Sequence, residues 1–390
     1  MNSFWDEASA QHNKTPLALR AYTSRLIGGN PDLVLHGGGN TSLKTADTLY
    51  VKGTGADLSA VSEAHFTALD LVGLRRLLDD AQLSDAERMR RVDACKKTVQ
   101  SAKPSIETLM HAALPCSHVE HAHADAVLAV ANVETCEATC AAVFGDLAPV
   151  VPYRHSGAGL ALECKRVYET CGTKHTIGLI LAFHGVVAFG NSARESYENL
   201  LQLVTRAEDW LRKRNAWTLP VTDATTVDAS AAEQLRDAAS ALAGFPLSMR
   251  IVSTPETLAF ARRSDLAEVA QQGPPTPQHA IYTKRVPLID GDLQTYAARY
   301  RTYLKEALGN TPHGLDAAPR IVLDPAFGLC AFGVNEHYAG IAAEIFLHDI
   351  TIISRASAHD HYRSASAEDI ARAELEYGGF EQRVRLQQPA

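Results

Sequence analysis

The sequence predicts an α/β protein with a first domain over residues 1–215 and a smaller α/β domain over residues 216–390. Its 390 residues exceed what a single hydrophobic core usually holds, which favours two domains. Short apolar runs typical of strands alternate with stretches of helical periodicity along the chain. The composition changes near residue 216, where linker-like sequence follows a predicted long helix. A second linker-like segment with three prolines covers residues 271–278.

The charge and composition narrow the classes of partner. A net charge of −8 argues against nucleic acid or an anionic membrane as the main partner, so a phosphate needs a local binding device. Residues 1–7 lack the apolar run of a signal peptide, and the most apolar stretch, residues 177–190, is too short to span a membrane. Seven cysteines without paired Cys-x-x-Cys spacing fit reduced thiols in a cytoplasmic enzyme.

A run of three glycines marks the most unusual loop of the chain. The pattern predicts a helix over residues 3–28 and a short strand over residues 33–35. The strand leads into residues 36–42, His-Gly-Gly-Gly-Asn-Thr-Ser, whose glycines contribute nothing to a core. Exposed backbone N–H groups beside polar side chains suit an anion such as phosphate, and a flexible hairpin turn is the alternative. The spacing matches neither the Walker nor the dinucleotide-binding pattern.

A second glycine turn follows the next strand. Residues 48–52 are predicted to form a strand that ends in residues 53–56, Gly-Thr-Gly-Ala. Two glycine loops therefore flank one hairpin, which would suit a small ligand. Lys44, Lys52 and Lys103 would add positive charge near these loops, although solvated surface lysines are the simpler interpretation.

Glu107 stands near a predicted helix start. Ser105 follows Pro104 in a pattern typical of a helix N-terminus, which places Glu107 in the first helical turn. A first-turn glutamate usually compensates the helix dipole, so its position alone predicts no catalytic role.

Two histidines share one face of a predicted strand. Residues 119–125 read Val-Glu-His-Ala-His-Ala-Asp, and His121 and His123 project together because strand residues i and i+2 point to the same side. A metal site is one interpretation of such a pair, and a solvent-exposed pair is the other. His184 follows a predicted buried strand over residues 177–182 and precedes a glycine. That placement suits a third ligand or a hydrogen-bonded core histidine.

The remaining elements are predicted from periodicity and from turn residues. In the first domain these are helices over 69–78, 85–98, 126–131, 134–143, 160–169 and 193–213, an edge strand over 149–153 and a strand over 186–189. In the second domain these are helices over 231–242, 293–307 and 338–345 and strands over 249–253, 320–323 and 331–334. The histidines of the second domain, interpreted as surface or core residues, are at positions 279, 313, 337, 348, 359 and 361.

Five short motifs occur in the order of a known family: Gly-Gly-Gly-Asn-Thr-Ser at 37–42, Lys-Gly-Thr-Gly at 52–55, Pro-Ser-Ile-Glu-Thr at 104–108, His-Ala-His-Ala at 121–124 and Phe-His-Gly at 183–185. Over roughly residues 15–215 the chain therefore resembles the class II aldolase/adducin family. The resemblance implies a three-layer α/β/α fold with a central, mainly antiparallel sheet. The longer sequence resembles the aldolase portion of bifunctional rhamnulose-1-phosphate aldolase/alcohol dehydrogenase proteins, and without a Gly-x-x-x-Gly-x-Gly loop we expect no dehydrogenase domain.

The resemblance also implies roles for individual residues. His121, His123 and His184 match the family's three zinc ligands, and such a set also accepts Mn²⁺ or Co²⁺. Glu107 matches the acid/base that moves a proton at the carbon next to the carbonyl. The phosphate- and substrate-binding positions are Gly39, Asn40, Thr41, Thr54, Gly55 and Ser105. Members that bind dihydroxyacetone phosphate usually have two hydroxyl residues before the glutamate, and Ile106 departs from that pattern.

The implied reaction is cleavage of a ketose 1-phosphate of the rhamnulose or fuculose type to dihydroxyacetone phosphate and an aldehyde, through a metal-bound enediolate. Burial would raise the pKa of Glu107 and let it act as base and then as acid. Epimerisation of a sugar phosphate and decarboxylation of a 3-oxo sugar-acid phosphate use the same site and stay open. So does an adducin-like binding protein without catalysis. Family members form homo-oligomers, commonly tetramers. Glu120 alternates to the opposite strand face and is excluded from the site.

Overall fold

The computed structural model divides into two compact units. Unit 1 comprises Met1–Ala131 and Thr135–Lys213, and unit 2 comprises Asn132–Glu134 and Arg214–Ala390. No helix in the part of the chain that the structure describes is long and apolar enough to cross a bilayer. The described residues are 1–224, 226–289, 291–309 and 315–375.

Unit 1 is built on a seven-stranded sheet. The strands are β1 (Asn40–Lys44), β2 (Thr48–Lys52), β3 (Phe66–Asp70), β4 (His118–Ala122), β5 (Val150–Val151), β6 (Gly178–Leu181) and β7 (Gly185–Gly190). Their order is β3-β2-β1-β4-β7-β6-β5, and every neighbouring pair is antiparallel except β5 with β6. The mainly antiparallel sheet is therefore confirmed, with β5 at an edge, as expected for a strand flanked by prolines.

Helices cover both faces of this sheet. They are α1 (Glu7–His12), α2 (Pro16–Gly28), α3 (Leu71–Asp79), α4 (Asp85–Val92), α5 (Thr108–Ala113), α6 (Asp125–Ala131), α7 (Cys136–Phe144), α8 (Ala158–Cys171) and α9 (Ala193–Lys213). One layer contains α3, α4, α5 and α8, whose leucines and valines form one buried core with the sheet. The other contains α2, α6, α7 and α9, which pack on one another and on β1, β4 and β7. The predicted three layers are present.

The N-terminal segment differs from its prediction. The helix expected over residues 3–28 is two helices, because Thr15 caps α2 by accepting a hydrogen bond from the Ala18 N–H and Pro16 occupies its first position. No strand forms over residues 33–35. The backbone turns there instead, with the Gly38 N–H donating to the Leu35 carbonyl at 2.7 Å, and pairing begins only at β1.

Two element boundaries around the sheet edge also differ from the prediction. Residues 66–70 form β3, which the sequence did not predict, because they pair with β2 along its whole length. Asp70 ends that strand and caps α3 by accepting from the Val72 N–H, so the helix begins at Leu71 instead of residue 69. The helix expected to start at Ser105 begins at Thr108, with Glu107 at its N-cap position.

Unit 2 contains a three-stranded antiparallel sheet in the order β8-β10-β9. Its strands are β8 (Ser248–Val252), β9 (Ile321–Asp324) and β10 (Gly328–Gly333). Its helices are α10 (Ala229–Ala243), α11 (Pro255–Ala261), α12 (Leu266–Ala270), α13 (Ala280–Thr283), α14 (Leu293–Leu308) and α15 (Glu336–Ser357), and residues 367–375 are also helical. The sequence predicted the three strands, but it missed α11 and α12 and stopped α15 at residue 345.

Alternation along β10 separates two hydrophobic clusters in unit 2. Leu329 and Ala331 pack with α11, α12 and α15, whereas Cys330 and Phe332 pack with α10 and α14. Of the predicted surface or core histidines, His279 is buried against Asp349 at 2.6 Å. His313 lies outside the described residues.

Candidate metal and acid-base site

Three histidines converge in unit 1. His121 lies on β4, His123 directly follows that strand and His184 lies in the turn between β6 and β7. Each offers a ring nitrogen, and these three atoms lie within 4.8 Å of one another. All three side chains are buried, and the Nε2 atoms of His121 and His123 are 3.1 Å apart. The His-x-His pair therefore points into the protein and not to solvent.

The turn after β6 delivers His184 to the other two rings. Phe183 adopts a left-handed backbone with φ of 56°, which is uncommon for a residue other than glycine. The next residue, Gly185, lies so close to β4 that a Cβ atom there would be 2.4 Å from the Ala122 carbonyl oxygen. Only glycine fits this position, so the Phe-His-Gly sequence is needed for the hairpin to approach the strand that carries His121.

The hydrogen bonds of His121 suit metal binding. Its Nδ1 lies 3.1 Å from the Val186 carbonyl oxygen, and because a carbonyl only accepts, Nδ1 carries the proton and Nε2 carries the lone pair. Burial lowers the pKa of His121, which favours the neutral ring. Three imidazole nitrogens in one buried site fit a divalent metal such as zinc and would leave it open positions.

Glu107 lies against two of the three imidazoles. Its Oε1 is 3.2 Å from His184 Nε2 and accepts from the Ser156 hydroxyl at 3.1 Å. Its Oε2 is 3.4 Å from His121 Nε2 and accepts from Asn40 Nδ2 at 2.6 Å. The side chain of Glu107 is only about 5% exposed.

The acidity of Glu107 is opposite to its prediction. Burial raises the pKa of the carboxyl group, but the positive charge that His121 and His184 carry when protonated, with the hydrogen bonds from His184 and Asn40, outweighs that effect and holds the pKa well below its usual range. The expectation of a raised pKa is therefore wrong. The carboxylate is ionised near neutral pH and available to accept a proton.

The glycine-rich loop reaches the histidines through Gly39 and Asn40. Gly39 has a φ of 63°, and a Cβ atom there would lie 2.7 Å from the His121 carbonyl oxygen. Asn40 pairs with His121 in register, so its side chain lies on the same face of the sheet. Thr41 pairs with Glu120 and faces the opposite side, where its hydroxyl is 2.7 Å from that of Ser24. The prediction that Thr41 binds substrate therefore does not hold for its side chain.

The second glycine turn is joined to the segment before Glu107. Thr54 donates its backbone N–H to the Lys103 carbonyl at 2.8 Å and its hydroxyl to the Pro104 carbonyl at 3.1 Å. Ser105 is buried, and its hydroxyl oxygen accepts from the Glu107 N–H at 3.2 Å. Gly55 is exposed with a φ of 87°, and no atom lies within 4 Å of a Cβ placed there. The structure thus brings Thr54 and Ser105 together and leaves the backbone at Gly55 accessible.

Lys52, which the sequence allowed as a positive charge near the loops but favoured as a surface residue, is buried. It ends β2 and is only 4% exposed, so the surface interpretation is wrong for this lysine. No hydrogen bond to its ammonium group occurs within the described residues, although Asp57 and Glu107 attract it. Burial lowers its pKa to about 8. The one local signal was its position between a strand and a glycine turn. Lys44 is also buried and donates to the Cys116 carbonyl at 2.6 Å.

Glu120 belongs to a different environment from the histidines on its strand. It is fully buried on the other face of β4, where Arg20 Nη1 lies 2.6 Å from its Oε1. The Ser196 hydroxyl of α9 donates to the same oxygen at 2.6 Å. Strand alternation predicts this separation from the three histidines, and the structure agrees with it.

Two family profiles match the chain. The profile described as "Class II Aldolase and Adducin N-terminal domain" matches residues 18–211. The profile described as "Aldolase class II, second domain" matches residues 226–383. Together they cover most of unit 1, including all three histidines and Glu107, and most of the chain that follows it.

Individual relatives are more distant. A protein of Bacillus subtilis (strain 168) named "Uncharacterized oxidoreductase YuxG" is 25% identical over 391 residues, covering 91% of this chain. The match covers 56% of that relative, so the chain spans about half its length. The N-terminal class II aldolase domain of a conserved Thermoplasma acidophilum protein is 32% identical, covering 54% of this chain and 100% of that domain, with a TM-score of 0.49. L-fuculose-1-phosphate aldolase from Thermus thermophilus is 15% identical, covering 51% of this chain and 96% of that one, with a TM-score of 0.36.

Proposed function

The chain belongs to the class II aldolase and adducin family, and we propose that it cleaves a phosphorylated ketose to dihydroxyacetone phosphate and an aldehyde with the help of a divalent metal. The observation that carries the proposal is the meeting of three imidazole nitrogens and one carboxylate in a single buried site. Such a ligand set leaves a metal open to substrate, and the carboxylate beside it provides a group for proton transfer. The substrate class is a ketose 1-phosphate of the rhamnulose or fuculose type.

His121, His123 and His184 would hold the metal, which we propose to be Zn²⁺. When bound, the metal supplies Lewis-acid stabilisation for the negative charge that develops on the oxygens of the substrate. The carbonyl of Val186 already holds His121 in the tautomer with a bare Nε2, so no proton has to leave that ring before it binds.

Glu107 is the acid/base in this proposal. In the cleavage direction the carbon–carbon bond next to the carbonyl breaks, the carbinol hydroxyl loses its proton as the aldehyde forms, and the electron pair stays on the carbon next to the carbonyl. The ionised Glu107 takes up the proton that the hydroxyl loses, directly or through water, and delivers one proton to that carbon, so the net proton change is zero; in the condensation direction it removes the proton from that carbon. Its lowered pKa supplies the ionised form that proton removal requires.

The anion site is proposed at the two joined loops beside Glu107. Asn40, the Ser105 hydroxyl, whose proton is free, and the open backbone at Gly55 would offer hydrogen bonds to the phosphate, and Thr54 could join them if its hydroxyl turned away from the Pro104 carbonyl. Lys52 would add a local positive charge, since its largely buried side chain is near enough to Glu107 to be attracted by it. This lysine offers one compensation for the missing second hydroxyl at Ile106.

Two related reactions, epimerisation and decarboxylation, could use the same site, and the substrate panel described below distinguishes them. Epimerisation and decarboxylation of a 3-oxo sugar-acid phosphate also develop negative charge on oxygens beside a metal, and the three histidines serve them equally well. An adducin-like binding protein without catalysis has no use for a buried set of three histidines and an ionised glutamate.

A metal assay followed by a substrate panel tests the proposal. We expect about one zinc ion per purified chain, lost in His121→Ala and kept in His118→Ala, whose ring lies on the opposite face of β4. We expect a ketose 1-phosphate to release dihydroxyacetone phosphate in a coupled assay. Carbon dioxide from a sugar-acid phosphate, or an epimer without cleavage, would replace the aldolase by one of the related reactions. A purified chain without bound metal would contradict the aldolase, epimerase and decarboxylase functions alike.

The proposal extends to the assembly. Residues 1–215 would form the catalytic domain and residues 216–390 an accessory domain of a cytoplasmic homo-oligomer, commonly a tetramer in this family. The seven cysteines are all free, which fits a reducing compartment. Light scattering of the purified protein gives its oligomeric state, and a monomer with full activity would contradict this part of the proposal.

A further inference from the structure

Asn40 connects Glu107 to a second buried histidine. Its Nδ2 donates to Glu107 Oε2 at 2.6 Å, and its Oδ1 lies 2.5 Å from His111 Nε2. The other ring nitrogen of His111, Nδ1, lies 2.8 Å from the Ser42 hydroxyl oxygen. His111 lies on α5, one helical turn after Glu107, and its side chain is completely buried. None of the three proposed metal ligands takes part in this chain of contacts.

The donors and acceptors in this chain admit one consistent arrangement. An ionised carboxylate only accepts, so Asn40 must turn its NH₂ group toward Glu107 and its oxygen toward His111. An amide oxygen also only accepts, so His111 must carry its proton on Nε2. Its Nδ1 is then bare and accepts the proton of the Ser42 hydroxyl. The order of donation is therefore Ser42 to His111, His111 to Asn40 and Asn40 to Glu107.

We propose that His111 is a positioning residue that, as a neutral Nε2–H imidazole, holds the Asn40 amide with its NH₂ group toward Glu107. The inference rests on the proposed function of Glu107 as the acid/base. His111 does not reach the reacting atoms itself. It acts through Asn40, which would otherwise be free to rotate its amide by half a turn.

Rotation of the amide would have a direct effect on the site. The Asn40 oxygen would then face the Glu107 carboxylate, and two acceptors would meet in a buried environment. The donor to Glu107 would be lost, and so would the second amide hydrogen available to a bound anion. One buried imidazole therefore determines whether both the base and the anion site are correctly arranged.

Because His111 is neutral, its hydrogen bond to Asn40 should not change with pH under ordinary assay conditions. Burial lowers the pKa of His111 to about 3, with Lys44 acting in the same direction. The ring stays neutral throughout ordinary assay conditions, and a proton gained at Nδ1 would require the Ser42 hydroxyl to turn away.

The first test reads the tautomer of His111 in the intact protein. With ¹⁵N-labelled histidine, the long-range ¹⁵N–¹H spectrum should show His111 protonated at Nε2 and bare at Nδ1, unchanged between pH 5 and pH 8. This measurement does not depend on which reaction the enzyme catalyses. An Nδ1–H tautomer, or a ring that titrates in that range, would overturn the proposal even if the aldolase reaction is confirmed.

The second test uses paired variants. His111→Leu removes the donor to Asn40 and should lower kcat/KM about 10- to 100-fold, the range for loss of one hydrogen bond to a charged network, with bound metal unchanged. His111→Gln keeps an N–H donor and an acceptor and should recover most of that loss. His118→Leu, which removes another buried histidine from β4 on the opposite face, should lower stability without this loss of turnover.

If His111→Leu does not fold, Ser42→Ala serves as the second variant. It removes the donor to Nδ1 but leaves the Asn40 oxygen as the acceptor from Nε2–H, so His111 should keep the Nε2–H tautomer and kcat/KM should fall less than tenfold. Equal losses in His111→Leu and His111→Gln, or an Nδ1–H tautomer in Ser42→Ala, would assign His111 a purely structural role. Absence of any lyase, epimerase or decarboxylase activity in the unmodified protein would instead contradict the proposed function.

Discussion

Glu107 in unit 1 and Glu374 in unit 2 are both almost completely buried, at 4% and 3% exposure, yet they have opposite acidities. Burial raises the pKa of each carboxyl group. At Glu107 two imidazoles and an amide outweigh burial, and the pKa falls well below its usual range. At Glu374 burial prevails and raises the pKa to about 7. Depth alone therefore does not decide whether a glutamate can serve as a base.

The neighbours explain the difference. Glu374 accepts hydrogen bonds from two phenol hydroxyls, those of Tyr300 at 2.6 Å and Tyr303 at 3.3 Å. The two hydroxyls lower the pKa of Glu374 but do not outweigh burial, because a neutral hydroxyl stabilises a buried carboxylate less than a positively charged group does. Lys284, which lies 3.3 Å from Asp316, also lowers the pKa of Glu374, but burial outweighs it. The position of Glu107 beside His121 and His184, and not its acidity, suits it to proton transfer, whereas Glu374 is hydrogen-bonded to two tyrosines.

The largest expected effect is on kcat, which should fall in the Glu107 variant and not in the Glu374 variant. Glu107→Gln should lower kcat about 10²- to 10⁴-fold, because a general acid/base is lost, while the metal stays bound. Glu374→Gln should leave kcat within about twofold. Steady-state kinetics together with metal analysis measure both variants. Similar losses in the two would remove the functional distinction drawn between these carboxylates.

Glu120 adds a third buried carboxylate, paired with a full positive charge. Arg20→Met should destabilise unit 1 by about 3–5 kcal/mol, because it leaves Glu120 buried and unpaired at 0% exposure. The double variant Arg20→Met with Glu120→Leu should recover much of that loss, since no buried charge remains. Urea unfolding followed by hydrogen exchange in β4 measures the change. A loss below about 1 kcal/mol in the single variant would contradict this account.

Glu374 should make the stability of unit 2 depend on pH. Its ordinary pKa of 4.5 rises to about 7 in the folded protein, so above pH 4.5 the unfolded chain loses a proton that the folded chain keeps. Folding is therefore penalised progressively between pH 4.5 and 7, by about 3 kcal/mol in total, and the penalty is constant above that range.

Hydrogen exchange of β9 and β10 amides at pH 5 and pH 7.5 measures this effect. The unmodified protein should lose protection as the pH rises. Glu374→Gln cannot ionise and should show a flatter profile, although its single amide oxygen keeps an acceptor for only one of the two tyrosines. Identical slopes in the two proteins would mean that Glu374 ionises normally.

The smallest expected effect concerns one donor to Glu107. Ser156→Ala removes a hydrogen bond of 3.1 Å to Oε1 but leaves the contacts of Asn40 and both imidazoles in place. We expect a loss of about 1 kcal/mol in transition-state stabilisation, or roughly fivefold in kcat/KM. The pH–rate profile gives the accompanying shift, in which the acidic limb moves to higher pH. A shift to lower pH would show that Ser156 does not stabilise the ionised carboxylate.

Local periodicity was sufficient for much of the architecture. The helix over residues 193–213 has the bounds that its apolar spacing predicts, and the prolines around Val150 correctly marked an edge strand. Strand alternation placed His121 and His123 on one face and Glu120 on the other. β3 was missed because only its pairing with β2 distinguishes residues 66–70 from the start of a helix.

The identity of the candidate site residues could be read from the chain, because family motifs and the alternation of one strand are local properties. Which side chains meet could not. Ser156 is 49 residues from Glu107 and Asn40 is 67 residues from it, and no spacing rule joins them. Thr41 faces away from the histidines that its neighbour Asn40 approaches, and Lys52 is buried where a surface lysine was expected. The sign of the Glu107 pKa shift depends on these distant neighbours, since electrostatic and hydrogen-bond energies follow separation in space and not along the chain.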